Sequence, residues 1–218
     1  MKLTKPKFWD YKRPNVISYF FLPITYLIQL INFLYKKEKI KSEKIKTICV
    51  GNIYIGGTGK TSLCITLKNL LNKKNIKSCF IKKYYRDQYD EQKLLKQNGK
   101  LFLEKERVDA IQKAEEENYE IAILDDGLQD KSINSDINIV CFNNINWIGN
   151  GMTIPAGPLR ETINNLKKYD HIFLNGNLEN IDNIQKKILS INPRSNIYVG
   201  KYELTNINEF NKQDNYLV

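Results

Sequence analysis

Lys60 and Thr61 are the residues with the clearest chemistry in this chain. They follow Gly56-Gly57-Thr58-Gly59 directly, and that cluster follows the β-branched run Ile48-Cys49-Val50. Strand, glycine loop, Lys-Thr and then a helix-forming segment from Ser62 to Leu71 is the arrangement that cradles a polyphosphate. Glycines let successive backbone N–H groups turn inward on phosphate oxygens, and the helix N-terminus adds a favourable dipole. In that arrangement Lys60 reaches the β- and γ-phosphates, and the Thr61 hydroxyl sits on Mg²⁺. The strict spacing G-x-x-x-x-G-K-[ST] has Tyr54 in place of its first glycine, so Gly56 and Gly57 must supply the flexibility. The plain alternative is a glycine turn beside a solvated lysine.

A second chemical feature is Ile121-Ala122-Ile123-Leu124-Asp125-Asp126-Gly127, a buried-type apolar strand ending in two carboxylates. Such a strand end can hold Mg²⁺ beside Thr61. A third is Asn150-Gly151-Met152-Thr153-Ile154-Pro155-Ala156-Gly157-Pro158-Leu159-Arg160-Glu161, a loop fixed by two prolines with Arg160 and Glu161 at its exit. An arginine presented there can hold a phosphate bidentately, although the loop taken alone also reads as a structural turn. Asp90-Glu91 lies in the polar stretch Lys82–Gln97.

The elements that must position these groups alternate. Strands are expected at Ser78–Ile81, Leu101–Leu103, Ile137–Phe142, His171–Leu174 and Asn196–Tyr202, and helices at Val108–Glu117, Ile163–Lys168 and Ile184–Ile191. That alternation predicts an α/β fold: a P-loop NTPase-like, largely parallel sheet with helices on both faces. Its 218 residues suffice for a large core. Three regions are expected: a membrane-associated helix and basic tail over 1–46, a P-loop domain over 47–175, and the start of a second, incomplete α/β portion over 176–218.

The N-terminus is distinctive. Asn15 to Tyr35 runs without charge for about 21 residues, close to the length that spans a bilayer. Pro23, Gln29 and Asn32 interrupt it, and Trp9, Tyr11, Tyr19, Tyr26 and Tyr35 suit a membrane interface. Lys36, Lys37, Lys39, Lys41, Lys44 and Lys46 follow, favouring an anionic leaflet. Membrane contact is the expectation, spanning is open, and a hydrophobic helix packed on the domain itself is the alternative. Lys and Arg total 34 against 24 Asp and Glu, a net +10 that calls for anionic partners. No interleaved basic-aromatic patch supports nucleic acid. Cys49, Cys64, Cys79 and Cys141 form no CxxC pair and read as buried free thiols, and the single His171 cannot build a histidine metal site.

Taken together, Val50-Gly51-Asn52-Ile53 leading into Gly56–Thr61, Asp125-Asp126-Gly127-Leu128-Gln129, and Ile154–Glu161 resemble the tetraacyldisaccharide 4'-kinase family. Phe8-Trp9 and Leu22-Pro23 resemble its N-terminus. The resemblance implies ATP and Mg²⁺ as cofactors and transfer of the γ-phosphoryl group to the 4'-hydroxyl of a lipid disaccharide, by a monomer on the cytoplasmic face of the inner membrane. It also implies roles. Gly56, Gly57, Thr58, Gly59, Lys60 and Thr61 bind nucleotide; Thr61, Asp125 and Asp126 surround the metal. Asp90 serves as base, and Lys60 and Glu161, with Arg160, act near the phosphates. Departures exist. Lys82-Lys83-Tyr84-Tyr85-Arg86 stands where the family shows Ser-Arg-Gly-Tyr-Gly, Asp130 replaces a histidine, and Tyr89 and Gln92 replace the glycine and proline that flank the base. Family members continue beyond Val218, where the resemblance places a histidine partner for the base; Tyr216-Leu217-Val218 reads as the start of another strand. Two further expectations follow. One is a shortened, catalytically impaired form that binds ATP and membrane. The other is a membrane-bound P-loop ATPase switch, disfavoured because Ile55 stands where those proteins carry a lysine.

Overall fold

The computed structural model describes residues 5–35, 39–177 and 179–201. Lys36 and Lys37 of the basic tail, Tyr202 of the last expected strand and the Tyr216–Val218 segment lie outside the described residues. Seven strands, β1 (Lys46–Gly51), β2 (Ser78–Lys83), β3 (Leu101–Glu104), β4 (Ile121–Asp125), β5 (Ile137–Asn143), β6 (His171–Asn175) and β7 (Asn196–Val199), form one sheet in the order β3-β2-β4-β1-β5-β6-β7. Every pairing is parallel. The central strands are apolar along nearly their whole length because both faces are covered. Residues 176–199, expected to begin a second portion, add a helix and β7 to this same sheet.

Side-chain alternation along the strands sorts the core into two layers. Cys49, Ile81, Ala122 and Leu124 meet α5 (Arg107–Glu116) through Ala110, Ile111 and Ala114. Val140, Phe142, Ile172 and Leu174 continue that layer against α6 (Ile181–Ile191) through Ile184 and Ile188. The opposite face, Val50, Phe80, Ile123 and Cys141, meets α3 (Lys60–Lys73) through Leu63 and Cys64 and α4 (Tyr89–Asn98) through Leu95. The expected helix at Ile163–Lys168 is a 3-10 turn. The stretch from Lys82 to Gln97, read only as polar and charged, contains α4.

The uncharged N-terminal run is broken into α1 (Val16–Phe20) and α2 (Leu22–Leu34), with Asn15 capping α1 through Ser18 N–H at 3.0 Å and Pro23 placed in the first turn of α2. The break has a simple cause: proline is tolerated in a helix's first turn and not in its interior. The 13 residues of α2 extend roughly 20 Å, short of the ~30 Å hydrocarbon core. Among the described residues no helix is long and apolar enough to cross a membrane.

Nor do α1 and α2 pack their apolar faces on the domain. The inward-facing residues are Ser18 and Thr25, with Gln29 partly covered. Asn150 Nδ2 donates to Ser18 Oγ at 3.0 Å, Ala156 N–H donates to Thr25 Oγ1 at 3.3 Å, and Gln29 Nε2 donates to Thr153 Oγ1 at 2.7 Å. Val16, Phe20, Leu27, Leu30, Phe33 and Leu34 are each more than half exposed. The polar face thus serves the proline loop, whose backbone needs partners, and the apolar face is left outward.

Candidate phosphoryl-transfer site

The site lies at the C-terminal end of β1, where the strand order reverses between β4 and β5, the usual ligand position in an open α/β sheet. Gly56 at φ 141° and Gly59 at φ 75° make the turns that a side chain would resist, and Gly59 leads directly into α3. The loop is held from below. Asn52 Nδ2 donates to the carbonyls of Tyr54 and Gly56, and Asn175 Nδ2 on β6 donates to Thr58 O at 2.8 Å. Tyr54 is buried, bridges to Leu159, and donates its hydroxyl to Asp10 at 2.8 Å. This accounts for the missing glycine: position 54 is still extended, strand-like chain and needs no positive φ.

Two observations bear on a bound polyphosphate. An added Cβ at Gly57 would meet nothing within 4 Å, so no neighbour crowds the loop there. Thr58 Oγ1 is buried without a partner. Both fit a loop shaped around anionic oxygens. Among the described residues no three His, Cys, Asp or Glu side chains gather into a metal cage. That suits Mg²⁺, which takes one or two carboxylates and completes its shell with phosphates and water.

The expected metal residues divide. Thr61 Oγ1 donates to Asp125 Oδ2 at 3.3 Å, linking the start of α3 to the end of β4. Asp125 is fully buried, and Lys82 Nζ donates to the same oxygen at 2.7 Å. Asp126, at φ 58°, turns away to Arg160 NH1 at 2.7 Å and Lys60 Nζ at 3.9 Å. Burial would raise its pKa, but Lys60 and Arg160 outweigh that and hold the carboxyl below the usual range. Lys60, aimed at Asp126, is therefore one short swing from a phosphate placed in the loop.

The proline loop joins the site through backbone and side chains. Arg160 N–H donates to Ile53 O at 2.7 Å, and Ile55 N–H to Pro158 O at 2.9 Å. Gln129 is the connector: its Oε1 accepts from Arg160 at 3.0 Å, while its Nε2 donates to Asn52 O and Glu161 Oε1, both at 3.0 Å. Glu161 also accepts from Asn165 at 2.8 Å and from the Tyr169 hydroxyl at 3.0 Å. Burial, and the adjoining Glu161 carboxylate, push the Tyr169 phenol upward.

Asp90 lies exposed on the first turn of α4 and makes no hydrogen bond or ion pair among the described residues. Its neighbour Glu91 accepts from Lys82 Nζ at 2.7 Å. His171 sits on β6 against the Tyr198 hydroxyl at 3.3 Å and is not joined to Asp90. Three supporting residues had no functional reading in the sequence. Arg107 is buried and donates to Asp130 at 2.9 Å and to Asp126 O at 2.6 Å, bracing the turn after β4. That pairing gives Asp130 a structural place. Lys82 and Gln129 complete the set; Gln129 lay inside a matching motif, and Lys82 opened the segment that departs from one. A cleft of about 510 Å³ opens beside Asp126, lined by Lys83, Lys131, Arg160 and the end of α2 at Asn32 and Tyr35. Lys131 Nζ caps that helix end through Tyr35 O at 2.8 Å.

A parallel sheet carrying such a loop at its switch point, with strand-end carboxylates beside Lys-Thr, defines a P-loop protein of the nucleotide-binding α/β class. Comparison with known proteins narrows this. The family model for tetraacyldisaccharide-1-P 4'-kinase, LpxK, matches residues 17–97 and 85–216. The tetraacyldisaccharide 4'-kinase of Pelagibacter ubique (strain HTCC1062) is 58% identical over 218 residues, covering 100% of this chain and 69% of the relative. That of Rickettsia bellii (strain OSU 85-389) is 35% identical over 197 residues, covering 81% and 60%. The LpxK crystal structure from Aquifex aeolicus in complex with ATP superposes with a TM-score of 0.61 at 25% identity, covering 77% of this chain and 61% of that one. The chain belongs to the tetraacyldisaccharide 4'-kinase family. A signal recognition particle 54 kDa protein from Aeropyrum pernix K1 in complex with GDP, TM-score 0.51 at 10% identity, shares the fold alone.

Proposed function

We propose that this chain carries the nucleotide half of an ATP-dependent kinase that phosphorylates the 4'-hydroxyl of a tetraacylated glucosamine disaccharide 1-phosphate. The observation that carries this reading is the Thr61–Asp125 contact of 3.3 Å beneath the glycine loop, with Lys60 and Arg160 held on the adjoining Asp126. In it, Gly56 to Thr61 bind ATP, Lys60 steadies the β- and γ-phosphates, and Thr61, Asp125 and Asp126 hold Mg²⁺. The metal, when bound, supplies charge neutralisation on the phosphates. Phosphoryl transfer otherwise needs positioning and a proton acceptor. Asp90 takes the acceptor hydroxyl's proton, and Arg160, anchored with Glu161 through Gln129, faces the transferred group.

The acceptor reaches the site from the membrane. The outward apolar faces of α1 and α2 enter the interface of the cytoplasmic leaflet without spanning it, and Lys39, Lys41, Lys44 and Lys46 favour anionic lipid. The cleft at the end of α2, lined by Lys83, Lys131 and Arg160 as well as by Glu106, Asp126 and Asp130, is where a sugar phosphate lifted from that surface would meet Arg160 and Lys131. The test is transfer of labelled γ-phosphate from ATP to the lipid disaccharide by detergent-purified chain. Labelled lipid is the expected product. ATP hydrolysis without labelled lipid points instead to a membrane-bound switch, and ATP binding without turnover to an impaired form.

A further inference from the structure

Lys82 is a lysine on a strand whose side chains from Ser78 to Lys82 are all buried; its own relative exposure is 1%. An isolated ammonium there would be costly, so its partners define its purpose. Strand alternation puts Phe80 and Lys82 on the α3–α4 face of the sheet, and Ile123 and Asp125 on the same face of the neighbouring strand. The register pairs Ile81 with Leu124, so Lys82 and Asp125 stand side by side one step further along. Lys82 Nζ then spans two elements, 2.7 Å from Asp125 Oδ2 and 2.7 Å from Glu91 Oε2 on the first turn of α4. Asp125 in turn accepts from Thr61 on α3. One ammonium therefore links the end of β4 to the turn of α4 that carries Asp90.

Packing does little to fix that turn. Gln92 and Leu95 are the buried residues of α4, and the first turn exposes Tyr89, Asp90 and Glu91. Gln92 Nε2 holds the preceding loop through Tyr85 O at 2.6 Å, but it does not reach β4. We propose that Lys82 is a positioning residue, tying the first turn of α4 to Asp125 and so setting the distance between Asp90 and the phosphate loop. The proposal rests on the kinase reading for its catalytic consequence; the tether itself does not.

Hydrogen exchange on the intact chain tests the tether directly. Glu91→Gln, at a half-exposed glutamate, takes the charge from one arm without disturbing the core, and Lys82→Met removes both arms. Amides of residues 92–95, which bond back to the carbonyls of the first turn, are expected to exchange about tenfold faster in each variant, with the β1 and β4 amides of Glu91→Gln unchanged. In the transfer assay, Glu91→Gln is expected to lower kcat about tenfold while KM for ATP stays within about threefold. A plain stability defect would not produce that split. Adding Glu91→Gln to Lys82→Met should cost less than twofold more, because both act through one link. Unchanged protection at 92–95 in Glu91→Gln overturns the tether, whether or not Lys82→Met folds. Faster exchange with no change in kcat overturns the positioning role. If the unmodified chain transfers no phosphate, the kinase reading of this chain falls, and the exchange result alone decides the tether.

Discussion

Phe20 and Phe33 offer a quantitative test of the proposed lipid contact. They are 77% and 76% exposed, on α1 and α2. Burying a phenylalanine side chain completely is worth roughly 1.5–3 kcal/mol. Three-quarters of each ring remains to be buried, so transfer into the interface yields about 1–2 kcal/mol per ring and about 2–4 kcal/mol for the pair. At 1.4 kcal/mol per tenfold, Phe20→Gln with Phe33→Gln should weaken vesicle partitioning by about 30- to 1000-fold. The fold should scarcely notice: neither ring is in a core cluster, and exposed substitutions stay within about 0.5 kcal/mol. Flotation with vesicles of anionic phospholipid reads the partitioning directly. Repeating it at about 1 M salt screens the lysines and leaves the apolar part. Binding by the double variant within about threefold of the parent, at either salt, would refute the docking face.

Other outcomes follow from the site. Lys60→Ala should reduce ATP-dependent turnover by about 10²–10³, the usual cost of losing one preorganised charge on a developing anion, and steady-state kinetics will read it. Asp90→Asn should shift the unfolding midpoint little, since the carboxylate is exposed and has no partner among the described residues, while kcat drops about 10²–10⁴ with ATP affinity retained. Asp125→Asn should do the reverse in thermal unfolding, by as much as about 3–5 kcal/mol, because it leaves the buried Lys82 ammonium with Glu91 alone. Asp126, Asp130 and Asp136 all have folded-state pKa values held below the carboxylate norm: burial opposes this, and Lys60 with Arg160, Ser132 with Arg107, and Thr47 with Lys41 respectively outweigh it. Their contribution is present above the unfolded value of about 3.9 and disappears as pH falls through the depressed folded values. Urea midpoints should therefore hold steady from pH 7 to about 5 and fall steeply below about 4, less steeply in Asp136→Asn.

How far the site could be read from sequence depends on how local its causes are. The strand–glycine-loop–helix order around Lys60 was legible because glycines punctuate it through their own backbone freedom. The end of β4 at Asp125 was legible because an apolar strand ending in a carboxylate is itself a signal. The four cysteines read as buried free thiols are so. Lys82 and Arg107 were not legible: a lysine or arginine among polar neighbours reads as solvated, and only the sheet register and the packing of α4 and α5 show that each is buried against a carboxylate. The helix α4 was hidden for a related reason, since two buried residues in ten leave almost no periodic pattern. The N-terminal run shows the opposite failure. Its hydropathy was plain, but the side that faces the protein is the polar one, because Asn150, Thr153 and Ala156 supply unpaired groups that Ser18, Thr25 and Gln29 answer. Periodicity can find an amphipathic face; which face turns inward is decided by the chemistry of the surface waiting for it. Here that surface is the loop that carries Arg160, so the helix with the exposed apolar face is hydrogen-bonded to the loop whose arginine holds Asp126.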